Sequence, residues 1–235
     1  MQPSLMSQSR IFVDIGNSAV KWRSHDSEVF TESTDLFLSK LLPKADSVWV
    51  SAVAHLNIIE EIKAEFNFVN LVKPSKQYGK LILSYDDPSK FGVDRFLAML
   101  GALERFPDIP LLVIDAGSAV TFDVIDNNGM HQGGLIMPGI KALRQSFPKF
   151  STGDLSLKSS FLKNSTKGAW QSGTHAMLVS AINSQIQNFE LKYPGGVVTI
   201  CGGVAKEILK ELPISVKPYD NLVLDGLESY SQSMG

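Results

Sequence analysis

VDIGNSAVKW, at residues 13–22, is the stretch that decides the fold, and IDAGSAVTF, at residues 114–122, repeats it. In both stretches an apolar strand ends in Asp-x-Gly and turns at once into a second apolar strand, as in a β-hairpin. Because this unit occurs twice, the sequence predicts two related halves, each opening with the same hairpin.

The segments after each hairpin alternate between strand and helix patterns. We therefore predict an α/β fold of two similar halves, residues 1–110 and 111–235, each a mixed sheet flanked by helices. A Ser/Thr/Lys-rich loop is expected at 148–167, where its length is typical of a functional lid or an interface. The expected elements beyond the first hairpin are strand 47–53, helix 57–68, a helix from about Gly92, strands 111–114, 120–125 and 134–137, a short helix from Gly139, helix 169–191, strand 197–201, and helices 204–212 and 221–230.

Composition excludes several classes of protein. The 235 residues are 44% hydrophobic and 20% charged, which is typical of a folded globular chain. A net charge of -2 provides no basic surface, so neither nucleic acid nor a membrane is expected as a partner. Cys201 is the only cysteine, which excludes an intrachain disulfide and a cysteine-based zinc site. We therefore expect a protein of the reducing cytoplasm, with Cys201 as a buried strand residue.

Asp-x-Gly at the end of a strand is suited to phosphate chemistry. The carboxylate can hold a hydrated divalent cation, and glycine lets backbone N–H groups approach an anion. Ser18, Lys21 and Ser118 add donors of the kind that bind phosphates. A third glycine pair, Gly202-Gly203, follows a strand at a predicted helix start, where the helix dipole favours an anion. For either hairpin alone, ordinary turn chemistry is the alternative.

Several other enzyme classes lack their motifs. The sequence has no GxxxxGK[ST] loop, no GxSxG elbow and no HExxH pair, so P-loop, serine-hydrolase and zincin chemistry are not indicated. The four histidines share no spacing typical of a metal site or a triad and are expected to be structural or exposed.

The order of five motifs is specific. DIGNS at 14–18 with Lys21, FGVDR at 91–95 after Tyr85, DAGSAVT at 115–121, GGLIMPG at 133–139, and the CGG of 201–203 after Ser165-Thr166 resemble, in this order, the type III pantothenate kinases of the actin-like superfamily. The resemblance covers nearly the whole chain. It departs from the family at Ser118, where threonine is more frequent, and at Cys201, where threonine is common; Ser118 retains the hydroxyl.

The resemblance implies a fold and a reaction. The halves would be ribonuclease-H-like or actin-like, with a nucleotide cleft between them. Residues 1–110 would carry the first phosphate loop and the Gly-x-Asp-Arg pocket, and residues 111–235 the second phosphate loop and the Gly-Gly segment. The enzyme would use ATP with Mg²⁺, and K⁺ or NH₄⁺, to convert pantothenate to 4'-phosphopantothenate, the first step of coenzyme A biosynthesis. It would be a homodimer whose substrate pocket is completed by the partner, with Phe161 packing across the boundary.

Residue roles follow from the same resemblance. Asp94 would accept the proton of the substrate hydroxyl, Asp115 would hold the monovalent cation, and Asp14 would act on magnesium through water. The pantothenate pocket would comprise Tyr85, Gly92, Val93, Asp94, Arg95 and Thr166. The residues around ATP would be Asp14, Ile15, Gly16, Asn17, Ser18, Ala19, Val20, Lys21, Ser118, Gly202 and Gly203.

Simpler interpretations remain open for individual residues. Asp94 would also serve as a helix cap, and Asp115 as a hairpin aspartate bonded to nearby N–H groups. Tyr85 would also fit an exposed aromatic, and Ser165 or Thr166 an N-cap. For the whole chain, the alternatives are another actin-like-fold kinase, of a sugar or acetate, a regulatory protein like the Bvg accessory factor, or a filament subunit.

Overall fold

In a computed structural model of the chain, the described residues are 9–25, 27–154, 156 and 161–232. They form strands and α-helices in an alternating order, joined by short turns and 3₁₀ segments. The strands are β1 Arg10–Ile15, β2 Ala19–Ser24, β3 Phe30–Ser33, β4 Ser47–Ala52, β5 Val69–Leu71, β6 Gln77–Tyr78, β7 Leu81–Ile82, β8 Leu111–Ala116, β9 Ala119–Ile125, β10 His131–Pro138, β11 Val197–Cys201 and β12 Lys217–Pro218. The helices are α1 Leu56–Glu65, α2 Val93–Arg105, α3 Ile140–Gln145, α4 Thr166–Lys192, α5 Ala205–Ile208 and α6 Leu222–Gln232.

Two five-stranded sheets share one topology. The first has the order β3-β2-β1-β4-β5 and the second the order β10-β9-β8-β11-β12. In each, the opening hairpin and its next strand pair antiparallel, and the two later strands add in parallel. The identical order confirms the two related mixed sheets that the repeated hairpin predicted.

The chain divides into two units that interleave along the sequence. The first unit comprises the described residues within Met1–Ser75, Asp87–Gly101 and Leu222–Gly235, and the second those of Lys76–Asp86 and Ala102–Asn221. The sequence predicts one boundary, at residue 110. The division differs because α6 packs on β1 and β4 of the first sheet, although it follows the second sheet in the chain.

Each unit has a core on one face of its sheet. In the first, Ile11, Val13 and Ile15 of β1 pack with Ile58 and Ile62 of α1. In the second, the apolar residues of β8, β9 and β11 pack against α4, whose buried residues include Leu178, Ile182 and Ile186. Ile11, Val13 and Ile15 alternate along β1 and so share this face, while Phe12, also buried, lies on the other face.

Glycines allow α2 and α6 to cross with their backbones in contact. A Cβ on Gly226 would overlap the carbonyl of Leu97, and a Cβ on Gly101 would overlap the carbonyl of Leu222. Larger residues at either position would separate the helices. The crossing therefore fixes where α2, and with it the Gly-x-Asp-Arg segment, lies in the first unit.

Several helix bounds differ from the predicted ones. α4 begins at Thr166, three residues early, because the Ser165 side chain accepts the Gly168 N–H at 3.2 Å and caps the helix. The predicted helix at 204–212 is only a four-residue α5 followed by a 3₁₀ segment. Among the described residues, no helix is both long and apolar enough to cross a membrane.

Part of the predicted loop at 148–167 is tied to helices. Arg144 is fully buried and donates to the carbonyl of Asp154 at 2.5 Å, and Gln171 Nε2 donates to Asp154 Oδ2 at 2.7 Å. Burial lowers the pKa of Arg144, and the charge of Asp154 opposes that shift. The loop begins with a 3₁₀ turn, Pro148–Phe150; residues 155 and 157–160 lie outside the described residues.

Candidate active site

The first Asp-x-Gly hairpin joins β1 to β2 in the first unit. Asp14 is paired in register with Lys21 on β2 and with Ser51 on β4. The Gly16 N–H donates to the carbonyl of Ala19 at 3.0 Å and closes the turn. The turn thus brings Asp14 and Lys21, two of the predicted phosphate-handling residues, to the same end of the sheet.

His55 holds this hairpin from outside. Its Nε2 lies 3.2 Å from the carbonyl oxygen of Asn17. His55 precedes α1 in the left-handed conformation, with φ of 58°, which is uncommon for a residue with a side chain. From the sequence, His55 is expected to be structural or exposed, and its isolated position gives no sign of this contact with the loop.

Ser51 places a buried hydroxyl next to Asp14. Paired residues of parallel strands direct their side chains to the same face of the sheet, so those of Ser51 and Asp14 are neighbours. Ser51 is 0% exposed, and within the described part of the chain its Oγ has no hydrogen-bond partner. A buried hydroxyl without a partner is unfavourable by about 1–3 kcal/mol. A carboxylate and a hydroxyl are oxygen ligands that fit a hydrated Mg²⁺.

The second hairpin, between β8 and β9, repeats the first with one residue fewer in its turn. Asp115 is paired with Thr121 on β9 and with Cys201 on β11, and the Gly117 N–H donates to Ala119 at 2.9 Å. Gly139, which precedes α3, donates its N–H to the carbonyl of Ser118 at 3.2 Å. Its Cβ would lie only 2.5 Å from that oxygen, so glycine is needed where α3 meets the turn.

Gly202 lies against the same aspartate. Its φ is +99°, and a Cβ there would overlap Asp115 Oδ1 and lie 2.5 Å from the carbonyl oxygen of Ala116. Gly203, by contrast, has open space where its Cβ would be. With only four residues, α5 is too short for its dipole to favour an anion next to Gly202-Gly203. The role of Gly202 therefore rests on the close approach of its backbone to Asp115. Cys201 is buried, as predicted.

The Gly-x-Asp-Arg segment forms the start of α2. Asp94 Oδ1 accepts the N–H of Arg95 at 2.8 Å, and a Cβ on Gly92 would lie 2.6 Å from this oxygen. The carboxylate therefore folds back over Gly92 and satisfies one N–H at the helix start. Arg95 is 6% exposed, and its guanidinium lies 4.4 Å from the centre of the Phe91 ring.

Tyr85 and Thr166 lie in the second unit. Tyr85 is half-buried, and its ring stacks on that of His131 with 6.2 Å between centroids. Thr166 is exposed at the first position of α4. Because Ser165 provides the cap, capping does not account for Thr166.

Each predicted site residue therefore belongs to one unit. The first unit holds the Asp14–Lys21 hairpin and the Gly92–Arg95 segment, and the second holds Tyr85, Asp115, Ser118, Thr166, Gly202 and Gly203. Across the described ranges, no three or more His, Cys, Asp or Glu side chains are grouped to hold a metal ion.

Known proteins resemble this chain in sequence and in fold. Residues 10–188 match the family model of type III pantothenate kinase. A type III pantothenate kinase of Teredinibacter turnerae is 30% identical over 93% of this chain and 96% of its own length. Among solved structures, a Campylobacter jejuni Baf family protein has a TM-score of 0.65 at 22% identity, covering 95% of this chain and 98% of its own. MreB 5 of Spiroplasma citri has a TM-score of 0.54 at 11% identity, with 97% of each chain covered. The two structures bear on the fold alone and confirm the predicted actin-like class.

Proposed function

Because the chain belongs to the type III pantothenate kinase family, and so to the enzymes that phosphorylate pantothenate with ATP in coenzyme A biosynthesis, we propose that Asp94 is the base of this reaction. The observation that carries the assignment is the carboxylate of Asp94, folded over Gly92 and fixed by the Arg95 N–H at 2.8 Å. A base must be oriented before it can accept a proton in the transition state. The Arg95 N–H supplies that orientation through Oδ1.

Phosphoryl transfer needs little covalent chemistry from the protein. The primary hydroxyl of pantothenate loses its proton to Asp94 as its oxygen forms a bond to the γ-phosphorus. The bond from that phosphorus to the β,γ-bridging oxygen breaks, and ADP leaves with the electron pair. The protein contributes orientation and charge, and Asp94 contributes the proton acceptor.

Arg95 is proposed to bind the pantothenate carboxylate. Its guanidinium is buried against Phe91, and a planar guanidinium can pair with a carboxylate through two hydrogen bonds. An ion pair in a poorly solvated site is stronger than one in water. Gly92, Val93, Tyr85 and Thr166 complete the proposed pocket by resemblance to the family.

Residues 14–21 and Ser118, Gly202 and Gly203 are proposed to bind ATP. Lys21, Ser18 and Ser118 would donate to phosphate oxygens, and the glycines would let backbone N–H groups approach them. Asp14 would hold magnesium through water, supported by the partnerless Ser51 hydroxyl. When bound, Mg²⁺ neutralises phosphate charge in such kinases.

The finer assignments are proposals of the same kind. Asp115 is proposed to hold K⁺ or NH₄⁺, supported by the close packing of Gly202 on its carboxylate. A homodimer is proposed by resemblance, and the exposed apolar side chains of Phe161, at 76%, and Leu162, at 90%, are available to a partner. A cytoplasmic location is proposed because the reaction consumes ATP and the chain has one cysteine.

One assay tests the function directly. Purified protein is mixed with ATP, Mg²⁺, K⁺ and pantothenate, and ADP formation is followed by a coupled enzyme system. We expect ADP only when pantothenate is present, with 4'-phosphopantothenate as the second product. Turnover of a sugar or acetate in place of pantothenate, or no turnover of any acceptor, would contradict the proposal.

A further inference from the structure

Beneath Tyr85 lies a buried histidine with both ring nitrogens engaged. His131 Nε2 is 3.0 Å from Asp123 Oδ1, and the two side chains are 0% and 2% exposed. His131 Nδ1 is 3.0 Å from Ser84 Oγ. Because a carboxylate only accepts, Nε2 carries the hydrogen between His131 and Asp123, and Nδ1 faces the Ser84 hydroxyl. The plane of the imidazole is therefore fixed from both sides.

This ring is the surface on which Tyr85 rests. The two rings stack at an interplanar angle of 27°, with 6.2 Å between centroids. Ser84 and Tyr85 are neighbours in the chain, so His131 holds the backbone through one residue and the aromatic ring of the next. A second contact anchors the same segment upstream, where the Ile82 N–H donates to the carbonyl of Gly129 at 3.0 Å.

Packing alone does not require this arrangement. A buried carboxylate beside an imidazole costs desolvation energy that an apolar pair of similar volume would avoid. The polar pair fixes the orientation of the His131 ring through hydrogen bonds. An apolar side chain at this position would be oriented by packing alone. The fixed orientation of the ring reaches Ser84 through Nδ1 and Tyr85 through the stacked ring.

We propose that His131 is a positioning residue for pantothenate binding, acting through Tyr85, and that Asp123 fixes its ring. This inference rests on the proposed role of Tyr85 in the pantothenate pocket. His131 touches no reacting atom in this scheme. Its loss should therefore weaken pantothenate binding while leaving the chemical step and ATP binding nearly unchanged.

The chain offers a matched control in the same unit. His175 is also buried, at 1% exposed, and its Nε2 lies 2.8 Å from Glu211 Oε1. It belongs to none of the proposed binding residues. His175→Gln therefore reports what the loss of a buried histidine that contacts a carboxylate does to stability and, through stability, to kinetics.

The experiment measures kcat and KM for both substrates, and the pantothenate Kd by calorimetry, in Tyr85→Ala, His131→Gln, Ser84→Ala and His175→Gln. We expect His131→Gln to raise the pantothenate KM and Kd about three- to tenfold, the size of one lost aromatic contact. Its kcat and ATP KM should stay within about twofold of the parent chain. His175→Gln should lower Tm without changing the pantothenate KM.

Each other outcome counts against the inference. An unchanged pantothenate KM in His131→Gln, or an equal rise in His175→Gln, overturns it. If His131→Gln does not fold, Ser84→Ala provides the test, because Ser84 is exposed. This variant should raise the pantothenate KM about twofold. An unchanged pantothenate KM in Ser84→Ala overturns the inference. If Tyr85→Ala leaves KM unchanged, the inference fails while pantothenate-dependent ADP formation by the parent chain still supports the kinase. If the parent chain forms no such ADP, the proposed function itself has failed.

Discussion

Gly202 lies so close to Asp115 that a β-carbon at residue 202 would overlap the carboxylate oxygen Oδ1. The two residues follow neighbouring strands of the second sheet, and Cys201 is the register partner of Asp115. The turn after β11 therefore packs directly against Asp115 and Ala116 at the end of β8. This contact explains why the first glycine of the pair is needed and the second is not.

Gly202→Ala should destabilise the second unit by about 2–4 kcal/mol, because the new Cβ meets Asp115 and Ala116 at a positive φ. Gly203→Ala is the control, since its Cβ meets open space, and should change the free energy of unfolding by no more than about 0.5 kcal/mol. Denaturant unfolding of both variants measures the difference. Equal stabilities would mean that the close approach at Gly202 carries no cost.

Asp94→Asn should lower turnover by about 10²–10⁴-fold while the protein keeps its Tm within a few degrees. The amide oxygen can still accept the Arg95 N–H, but the amide cannot accept a proton from the substrate. Steady-state kinetics measure the turnover, and thermal unfolding measures the Tm. A turnover within a few-fold of the parent chain would make Asp94 a helix cap and would place the base elsewhere.

Gly92→Ala should impair catalysis more than stability. Its Cβ would lie 2.6 Å from Asp94 Oδ1, and the carboxylate can rotate away at little cost to the fold. A small displacement of a catalytic group costs up to about 10²-fold in rate. We expect kcat to fall with Tm nearly unchanged. Unaltered kcat would show that the carboxylate position above Gly92 is not the one used in the reaction.

Replacing K⁺ by Na⁺ or a large organic cation should lower turnover if Asp115 holds a monovalent cation. The carboxylate would face ATP phosphates of the same sign, so a bound cation offsets their repulsion. Asp115→Asn should reduce both the activity and its dependence on K⁺. Full activity without K⁺ or NH₄⁺ would remove the cation assignment and leave the kinase assignment standing.

Ser51→Ala should raise the Mg²⁺ concentration for half-maximal activity about tenfold, as loss of an outer-shell partner commonly does. Stability should be unchanged or slightly higher, because the variant removes a buried hydroxyl that has no partner in the described structure. Thr34→Val removes another such buried hydroxyl of the first unit and serves as the control. Mn²⁺ binding followed by electron paramagnetic resonance gives a readout independent of turnover. An equal Mg²⁺ requirement in Ser51→Ala and the parent chain would contradict a role of the Ser51 hydroxyl in magnesium binding.

The sequence by itself determined the two hairpins and the motifs of the site. The Asp-x-Gly hairpins at Asp14 and Asp115 are local: strand, turn and strand follow each other within Arg10–Ser24 and within Leu111–Ile125, so alternation and turn chemistry predict them. The start of α2 near Gly92 is local for the same reason. The ordered motifs then indicated the family, because each carries its chemistry on adjacent residues.

Tertiary structure alone decided the contacts between distant residues. Ser84 and Asp123 meet on His131, and His55 meets Asn17, although no spacing along the chain links them. α6 joins the first unit because Gly226 and Gly101 let two helix backbones touch, and a glycine in sequence does not name its partner. Periodicity records which face of an element is apolar; which element covers that face, and which polar side chains it brings together, depends on the packing of the whole unit.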